Sequence, residues 1–275
     1  MNKLLSHPKA SLFLRLLAGI LVTLFVIVVA ASITRAPVED SNDLQTVLQD
    51  TPQPNLPDFD AITDIDEKKA AFFDFLLSYV EAENNRIADK RLKVLELWDM
   101  VRREMELTDT ELDILNGLAQ EYRLGESILP VYDLVQELVL RVDMIPVSLV
   151  LAQAASESAW GTSRFAKEGN NIFGQWCFDE GCGLIPQRRL SDAAHEVRSF
   201  LSIEASVRSY FRNINTNVAY AGLRELRGDM RDQGRPLDAL VLAHGLLQYS
   251  ERGHVYISEL HALIRQNDLQ ALDRS

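Results

Sequence analysis

Hydrophobic spacing in residues 64–145 predicts a block of four helices. Apolar residues recur every three or four positions in EKKAAFFDFLLSYVEAENNRI and again in RLKVLELWDMVRREM, which is the period of a helix with one buried face. A capping-box pattern at Thr108 and Glu111 opens a third helix, and Pro130 suits the first turn of a fourth, which ends near Val142. The predicted core positions are Phe72, Phe73, Leu76, Leu77, Val80, Leu92, Leu95, Trp98, Val101, Leu115, Leu118 and Tyr122.

Beyond residue 146 the pattern stays mainly helical, with one short β region. Pro146 suits the first turn of a helix that ends at Ala159. Residues 184–190 and 195–200 predict two antiparallel strands. The predicted fold class is therefore α+β and mainly α, with a small β-hairpin insert. Further helices are predicted over residues 203–214, 219–226, 237–247 and 255–266.

The N-terminus is the least typical part of the chain. Residues 16–33 are eighteen consecutive uncharged, mostly apolar residues that follow three basic ones, which predicts a membrane anchor over residues 1–35. A cleaved signal peptide is the alternative. Residues 36–63 are acidic and rich in proline, as in an extended linker. We expect a helical accessory region over 64–145 and a second domain over 146–275.

Charge and cysteine content narrow the class of partner. The formal net charge is −12, and residues 36–67 hold nine acidic and no basic residues, so we expect no nucleic-acid partner. Cys177 and Cys182 are the only cysteines. In an exported protein their spacing favours a disulfide, whereas in the cytosol a reduced or metal-bound pair would be commoner. No histidine has metal-ligand spacing, and we expect neither a metal nor a cofactor.

Glu157 is the strongest candidate for chemistry. It shares a helix face with Ala154 and Val150, in partly apolar surroundings that raise the pKa of a carboxyl. A raised pKa suits a general acid near neutral pH. The alternative is an ordinary exposed glutamate near a helix end. However, a negative charge at a helix C-terminus opposes the helix dipole, so the position is unfavourable unless it is used.

Four segments together carry a family resemblance. They are QAASESAWG (residues 153–161), NNIFG (170–174), AYAGLR (219–224) and YSERGHVY (249–256). In this order they resemble the signature of bacterial glucosaminidases of glycoside hydrolase family seventy-three, and the cysteine loop, helical block and anchor resemble its bacterial Bax subgroup. The resemblance covers residues 146–266 for the family and reaches back to residue 64 for the subgroup.

The resemblance implies a lysozyme-like fold, with residues 146–275 as the catalytic domain. It further implies hydrolysis of the β-1,4 bond between N-acetylglucosamine and N-acetylmuramic acid, with Glu157 as the acid. Ala159 stands where the family commonly has glycine.

The second catalytic group has several candidates. Glu196, on the returning strand, either points into a groove or pairs across the strands with Arg188 or Arg189. Glu180 and Asp179 in the cysteine loop are the next candidates. Without a placed base, the acetamido group of the substrate could supply the nucleophile.

Aromatic residues are the remaining site candidates. Tyr249 falls on the tyrosine segment that the family places beside the cleaved bond, but Tyr256 lies one residue off the matching spacing, and either is also consistent with a core tyrosine. Phe173 and Trp176 are predicted to stack on a sugar ring. Tyr220 and Glu180 are further predicted substrate contacts. We expect Trp160 to act as a wedge at the helix end, and Asn170 and Asn171 to stabilise a turn.

These expectations combine into one hypothesis. It is an inner-membrane protein whose catalytic domain faces the periplasm and cleaves peptidoglycan glycan strands. A lytic transglycosylase and a non-catalytic peptidoglycan-binding scaffold are the alternatives. Whether the helical block holds a protein partner or covers the groove is left open.

Overall fold

The structure, a computed structural model, describes residues 56–186 and 195–274. Within these residues it is mainly helical with one small antiparallel sheet, as predicted. The predicted membrane anchor and most of the predicted linker lie outside the described residues. In the part of the chain that is described, no helix has both the length and the apolar character needed to cross a membrane.

The described part of the chain contains nine α-helices and three strands, with four short 3-10 helices before, between and after them. The helices are α1 (Ile65–Arg102), α2 (Asp109–Glu121), α3 (Val131–Arg141), α4 (Val147–Ser158), α5 (Arg164–Gly169), α6 (Ile203–Thr216), α7 (Ala221–Asp232), α8 (Ala239–Ala243) and α9 (His254–Gln266). The strands are β1 (Trp176–Cys177), β2 (Gly183–Leu184) and β3 (Glu196–Arg198), which occupy the order β1-β3-β2.

The sheet confirms the predicted antiparallel pairing and adds a strand. Leu184 of β2 lies opposite Val197 of β3, and Trp176 of β1 lies opposite Val197 on the other side. Sequence reasoning missed β1 because two residues are too few to show alternation. Residues 187–194, which include most of the first predicted strand, lie outside the described residues.

Helix α1 replaces the first two predicted helices with one of 38 residues. Its interior contains neither glycine nor proline, so nothing interrupts it. Phe72, Phe73, Leu76 and Val80 are buried as predicted. Further along α1, the prediction of core positions is wrong for Leu92 and Leu95, because both side chains are exposed. The uninterrupted helix keeps the phase of its first half and buries Ile87, Arg91, Val94 and Leu97 instead.

Helix α1 and the later helices share one hydrophobic core. Helix α1 packs against α3, α4 and α6. The buried hydrophobic cluster continues across residue 146, where we expected a domain boundary. The capping box at Thr108 and Glu111 is present at the start of α2, and Pro130 precedes α3 as predicted. Phe59, in the segment predicted as linker, is only 2% exposed and packs its ring edge-on against Phe72.

A buried ion cluster centred on Asp143 ties α1 to α7. Asp143 lies between α3 and α4 and is only 2% exposed. Its carboxylate is 2.8 Å from Nη2 of Arg231, 3.3 Å from Nη1 of Arg91 and 3.8 Å from Nε of Arg227. Burial raises the pKa of Asp143, but these arginines outweigh it and hold the pKa below the ordinary value of 3.8. The cluster therefore depends on an ionised carboxylate.

We expect Asp143→Ala to lower the free energy of unfolding by about 3–5 kcal/mol at pH 7, because it leaves buried guanidinium groups unpaired. The folded pKa of Asp143 lies below its unfolded value, so the stabilisation is present above pH 3.8 and is lost as the pH falls through the folded pKa. Urea unfolding at neutral and acidic pH measures both effects. Asp113→Ala, on an exposed part of α2, is the control and should change stability by less than about 0.5 kcal/mol. Equal losses in the two variants would contradict the role of the cluster.

Candidate active site

The turn after α4 determines where Glu157 lies. Ala159, Trp160 and Gly161 follow in succession with φ values of 51°, 59° and 76°. This left-handed conformation costs a residue other than glycine about 1–2 kcal/mol, so glycine would be the less strained residue at the position of Ala159. Oγ of Ser158 accepts a hydrogen bond from the Gly161 N–H at 2.8 Å. The helix therefore ends at Ser158, one residue after Glu157.

Aromatic side chains of α1 hold this turn in place. The Trp160 ring packs edge-on against Phe73 and Phe72, with centroids 5.2 and 5.8 Å apart. Gly161 lies so close to Phe59 that a Cβ atom there would be 2.5 Å from the phenyl ring. Trp160 therefore takes the predicted wedge position, and its partners come from α1.

The Glu157 carboxyl is half-buried at the end of α4. Burial raises its pKa above the ordinary value of 4.5. A hydrogen bond from Tyr256 and the charge of Arg252 act in the opposite direction, and the carboxylate of Glu259 adds to the increase. Arg252 is itself ion-paired with Glu259, which limits its pull on Glu157. The net increase agrees with the pKa expected from the sequence.

A chain of buried polar groups leads to this carboxyl. The Tyr210 hydroxyl donates to Oε1 of Gln153 at 2.5 Å, and Nε2 of Gln153 donates to the Tyr256 hydroxyl at 3.0 Å. Tyr256 then hydrogen-bonds to Glu157. Sequence reasoning missed Gln153 and Tyr210. The signal for Gln153 was its position four residues before Glu157, which places both on one helix face.

The loop from Asn170 to Gly174 covers one side of Glu157. Asn170 has a φ of 50°, and the Asn171 side chain donates to the carbonyl of Gln175 and accepts from its N–H, which confirms their predicted role in a turn. Gly174 has a φ of 62°, and a Cβ atom there would be 3.2 Å from Oε2 of Glu157. The position requires glycine for both its conformation and the approach of the carboxyl.

The predicted sugar-stacking pair divides in the structure. The prediction is wrong for Phe173, which is 1% exposed and stacks on Tyr210 at 4.1 Å inside the core, so no sugar ring can reach it. Trp176 is 56% exposed, with its ring stacked on His195 at 4.2 Å. Its contact with a sugar stays a prediction.

Three tyrosines line the neighbourhood of Glu157. The Tyr249 hydroxyl donates to the Phe173 carbonyl at 2.8 Å, and its ring lies parallel to that of Tyr256 at 5.8 Å. Tyr220 is buried, and its ring centroid lies 5.7 Å from that of Tyr249. It also hydrogen-bonds to Asn213. The structure thus brings all three predicted tyrosines together.

Cys177 and Cys182 form the predicted disulfide, with Cα atoms 6.2 Å apart. Glu196 is buried beside this loop, and its carboxylate accepts the N–H groups of Gly181 at 3.1 Å and Gly183 at 2.8 Å. Glu180 and its neighbour Asp179 are exposed at the tip of the loop. Because the two sulfurs are bonded to each other, they cannot join Glu196 as metal ligands.

A comparison with protein families decides the affiliation. The family model described as mannosyl-glycoprotein endo-beta-N-acetylglucosaminidase matches residues 132–269, half of the chain. This chain belongs to the glucosaminidase family. Protein bax of Escherichia coli (strain K12) is 29% identical over 217 residues, which cover 78% of this chain and 74% of that protein. The catalytic domain of the autolysin Auto from Listeria monocytogenes aligns with a TM-score of 0.37 and 19% identity over 64% of this chain and 94% of that domain.

The glucosaminidase match includes Glu157 and the residues that surround it. It begins at residue 132, within the segment predicted as accessory. Helix α1 precedes the match, yet it supplies the rings that pack on Trp160. The turn at the end of α4 therefore depends on residues outside the matched glucosaminidase segment.

The contact between Gly174 and Glu157 generates a paired prediction. Both Gly174→Ala and Gly234→Ala should lower the free energy of unfolding by about 1–2 kcal/mol, because each glycine has a positive φ. Only Gly174→Ala should raise the pKa of Glu157 further, since its methyl group displaces water beside the carboxyl. Nothing lies within 4 Å of the corresponding position at Gly234. Urea unfolding and carbon-detected NMR titration measure the two effects. The same Glu157 pKa in both variants would refute the contact.

Proposed function

We propose that this protein hydrolyses the β-1,4 bond between N-acetylglucosamine and N-acetylmuramic acid in peptidoglycan, with Glu157 as the general acid. Membership of the glucosaminidase family supports a glycosidase acting on peptidoglycan. The observation that carries the specific role is the half-buried Glu157 carboxyl, whose pKa is raised by burial at the end of α4.

The proton of Glu157 is the first requirement of this mechanism. A raised pKa keeps a larger fraction of the carboxyl protonated near neutral pH, so that it can donate to the glycosidic oxygen as the bond breaks. Once the proton has left, the Tyr256 hydroxyl stabilises the carboxylate by hydrogen bonding. The same pair therefore supports both protonation states of the cycle.

For the nucleophile, the proposal uses the acetamido group of the substrate. The Glu196 carboxylate accepts one N–H group from Gly181, inside the disulfide loop, and one from Gly183, directly after it, which favours a positioning role for this residue. The Tyr249 hydroxyl donates to the Phe173 carbonyl, so its oxygen can still accept the acetamido N–H and orient the group for attack at the anomeric carbon. The catalytic role first predicted for Glu196 stays a prediction.

The location of the activity is part of the proposal. Peptidoglycan lies outside the cytoplasm, and the Cys177–Cys182 disulfide is typical of an oxidising compartment. Both support a domain that faces the periplasm. Anchoring through residues 1–35 stays a prediction.

Analysis of the cleavage products tests the proposal and its rivals together. Full-length protein incubated with purified sacculi should release fragments with reducing N-acetylglucosamine ends, identified by mass spectrometry. Glu157→Gln should lower this rate by a factor of about 10²–10⁴, because the amide cannot donate the catalytic proton. Glu168→Gln, on the exposed face of α5, is the matched control and should retain activity.

Two outcomes would contradict the proposal. Anhydro-muramyl ends would identify a lytic transglycosylase instead. Binding to sacculi with no cleavage by the unaltered protein would favour a non-catalytic scaffold.

The pH dependence of kcat/KM tests the partnership of Tyr256 with Glu157. The Tyr256 hydroxyl favours the ionised carboxylate, so Tyr256→Phe should raise the pKa of Glu157. The alkaline limb, on which the general acid loses its proton, should therefore move to higher pH. Tyr249→Phe is the comparison variant. Because the Tyr249 hydroxyl donates to the Phe173 carbonyl, the alkaline limb of this variant should stay in place. A downward shift, or equal shifts in both variants, would rule out this assignment.

A further inference from the structure

A cavity of about 470 Å³ beside the candidate active site has a strongly basic lining. Its single carboxylate comes from Glu121 and its exposed aromatic ring from Trp176. Five guanidinium groups converge on it from α1, the segment after α2, β3 and α6: Arg86, Arg123, Arg198, Arg208 and Arg212. This concentration of positive charge contrasts with the net charge of −12 for the chain.

Two of the five arginines are neutralised within the protein. Arg86 is 2.5 Å from a Glu83 oxygen and 3.4 Å from one of Glu121, and Glu121 is also ion-paired with Lys90. Arg208 is 2.5 Å from Glu204 and 3.7 Å from Glu83. The acidic groups nearest the cavity are therefore already paired.

The other three arginines form an uncompensated cluster. Across residues 56–186 and 195–274, Arg123, Arg198 and Arg212 have no carboxylate within ion-pair distance. Burial is the main reason that the pKa of Arg123 is lowered, and the charges of Arg212 and Arg198 lower it further. The three side chains therefore lie close enough to interact. Guanidinium groups gathered without a counter-ion repel one another, and a bound anion would relieve that repulsion.

The cavity shares its wall with the surroundings of Glu157. Gln175 lines the cavity and directly follows Gly174, which lies against the Glu157 carboxyl. Asn213 lines it from α6 and hydrogen-bonds to Tyr220. A substrate group bound in the cavity would therefore be attached to the glycan strand close to the glycosidic bond that lies beside Glu157.

We infer that this arginine cavity binds a carboxylate of the stem peptide carried by the muramyl residue, an inference that rests on the proposed function. The sugar rings of peptidoglycan are uncharged, whereas its stem peptides carry free carboxylates. The planar guanidinium matches a carboxylate with two parallel hydrogen bonds. The cavity would then select peptide-bearing strands over neutral ones.

Kinetics on two substrates test this inference. For Arg212→Gln we expect KM to rise about tenfold on soluble peptide-bearing strands, with kcat unchanged, because a charged hydrogen bond is lost from substrate binding. Cleavage of a neutral chito-oligosaccharide should stay unchanged. Arg212→Lys, which keeps the charge but not the two-pronged geometry, should fall between. Arg235→Gln, an equal charge change on an exposed residue outside the cavity, should match the unaltered protein. Equal changes on both substrates, or no change on either, would overturn the inference.

A binding measurement separates this inference from the proposed function. Protein carrying Glu157→Gln, with and without Arg212→Gln, is pelleted with intact sacculi and with sacculi whose stem peptides have been removed by an amidase. Only the retention on intact sacculi should depend on Arg212, and added salt should reduce that dependence. Dependence on the stripped sacculi as well would assign the site to the lactyl carboxylate and refute the stem-peptide assignment. This result holds whether or not the unaltered protein cleaves either substrate.

Discussion

The structure depends on the left-handed turn that ends α4 one residue after Glu157. Three successive residues adopt positive φ, although only Gly161 does so without strain. Packing of the Trp160 ring against Phe72 and Phe73 offsets that cost. The position of one carboxyl is thus determined by aromatic packing on a helix that begins more than ninety residues earlier.

This dependence explains why α1 belongs to the functional unit although it precedes the family match. Its first half holds the turn, and its second half contributes Arg91 to the buried cluster around Asp143. Arg86 of the same helix faces the basic cavity beside the site. Helix α1 therefore contacts the domain near the acid, along the core and at the proposed peptide-binding surface, which makes it part of the scaffold.

Local signals made part of the site predictable from sequence. Glu157 stood out because its charge opposes the helix dipole, and Cys177 and Cys182 because of their spacing. The prediction that Phe173 contacts a sugar ring failed because an aromatic residue in a loop has the same sequence pattern whether it faces solvent or, as here, stacks inward on Tyr210. Tyr210 was missed because its hydrogen bond to Gln153 joins α6 to α4, and no local pattern reports such a long-range contact.

The most direct test of the central claim is a crystal structure of Glu157→Gln with a bound peptidoglycan oligosaccharide. We expect a glycosidic oxygen within about 3 Å of the residue 157 side chain. We also expect the neighbouring acetamido group at the Tyr249 hydroxyl. An oligosaccharide bound on a surface remote from residue 157, with the pocket around Tyr249 and Tyr256 empty, would contradict it.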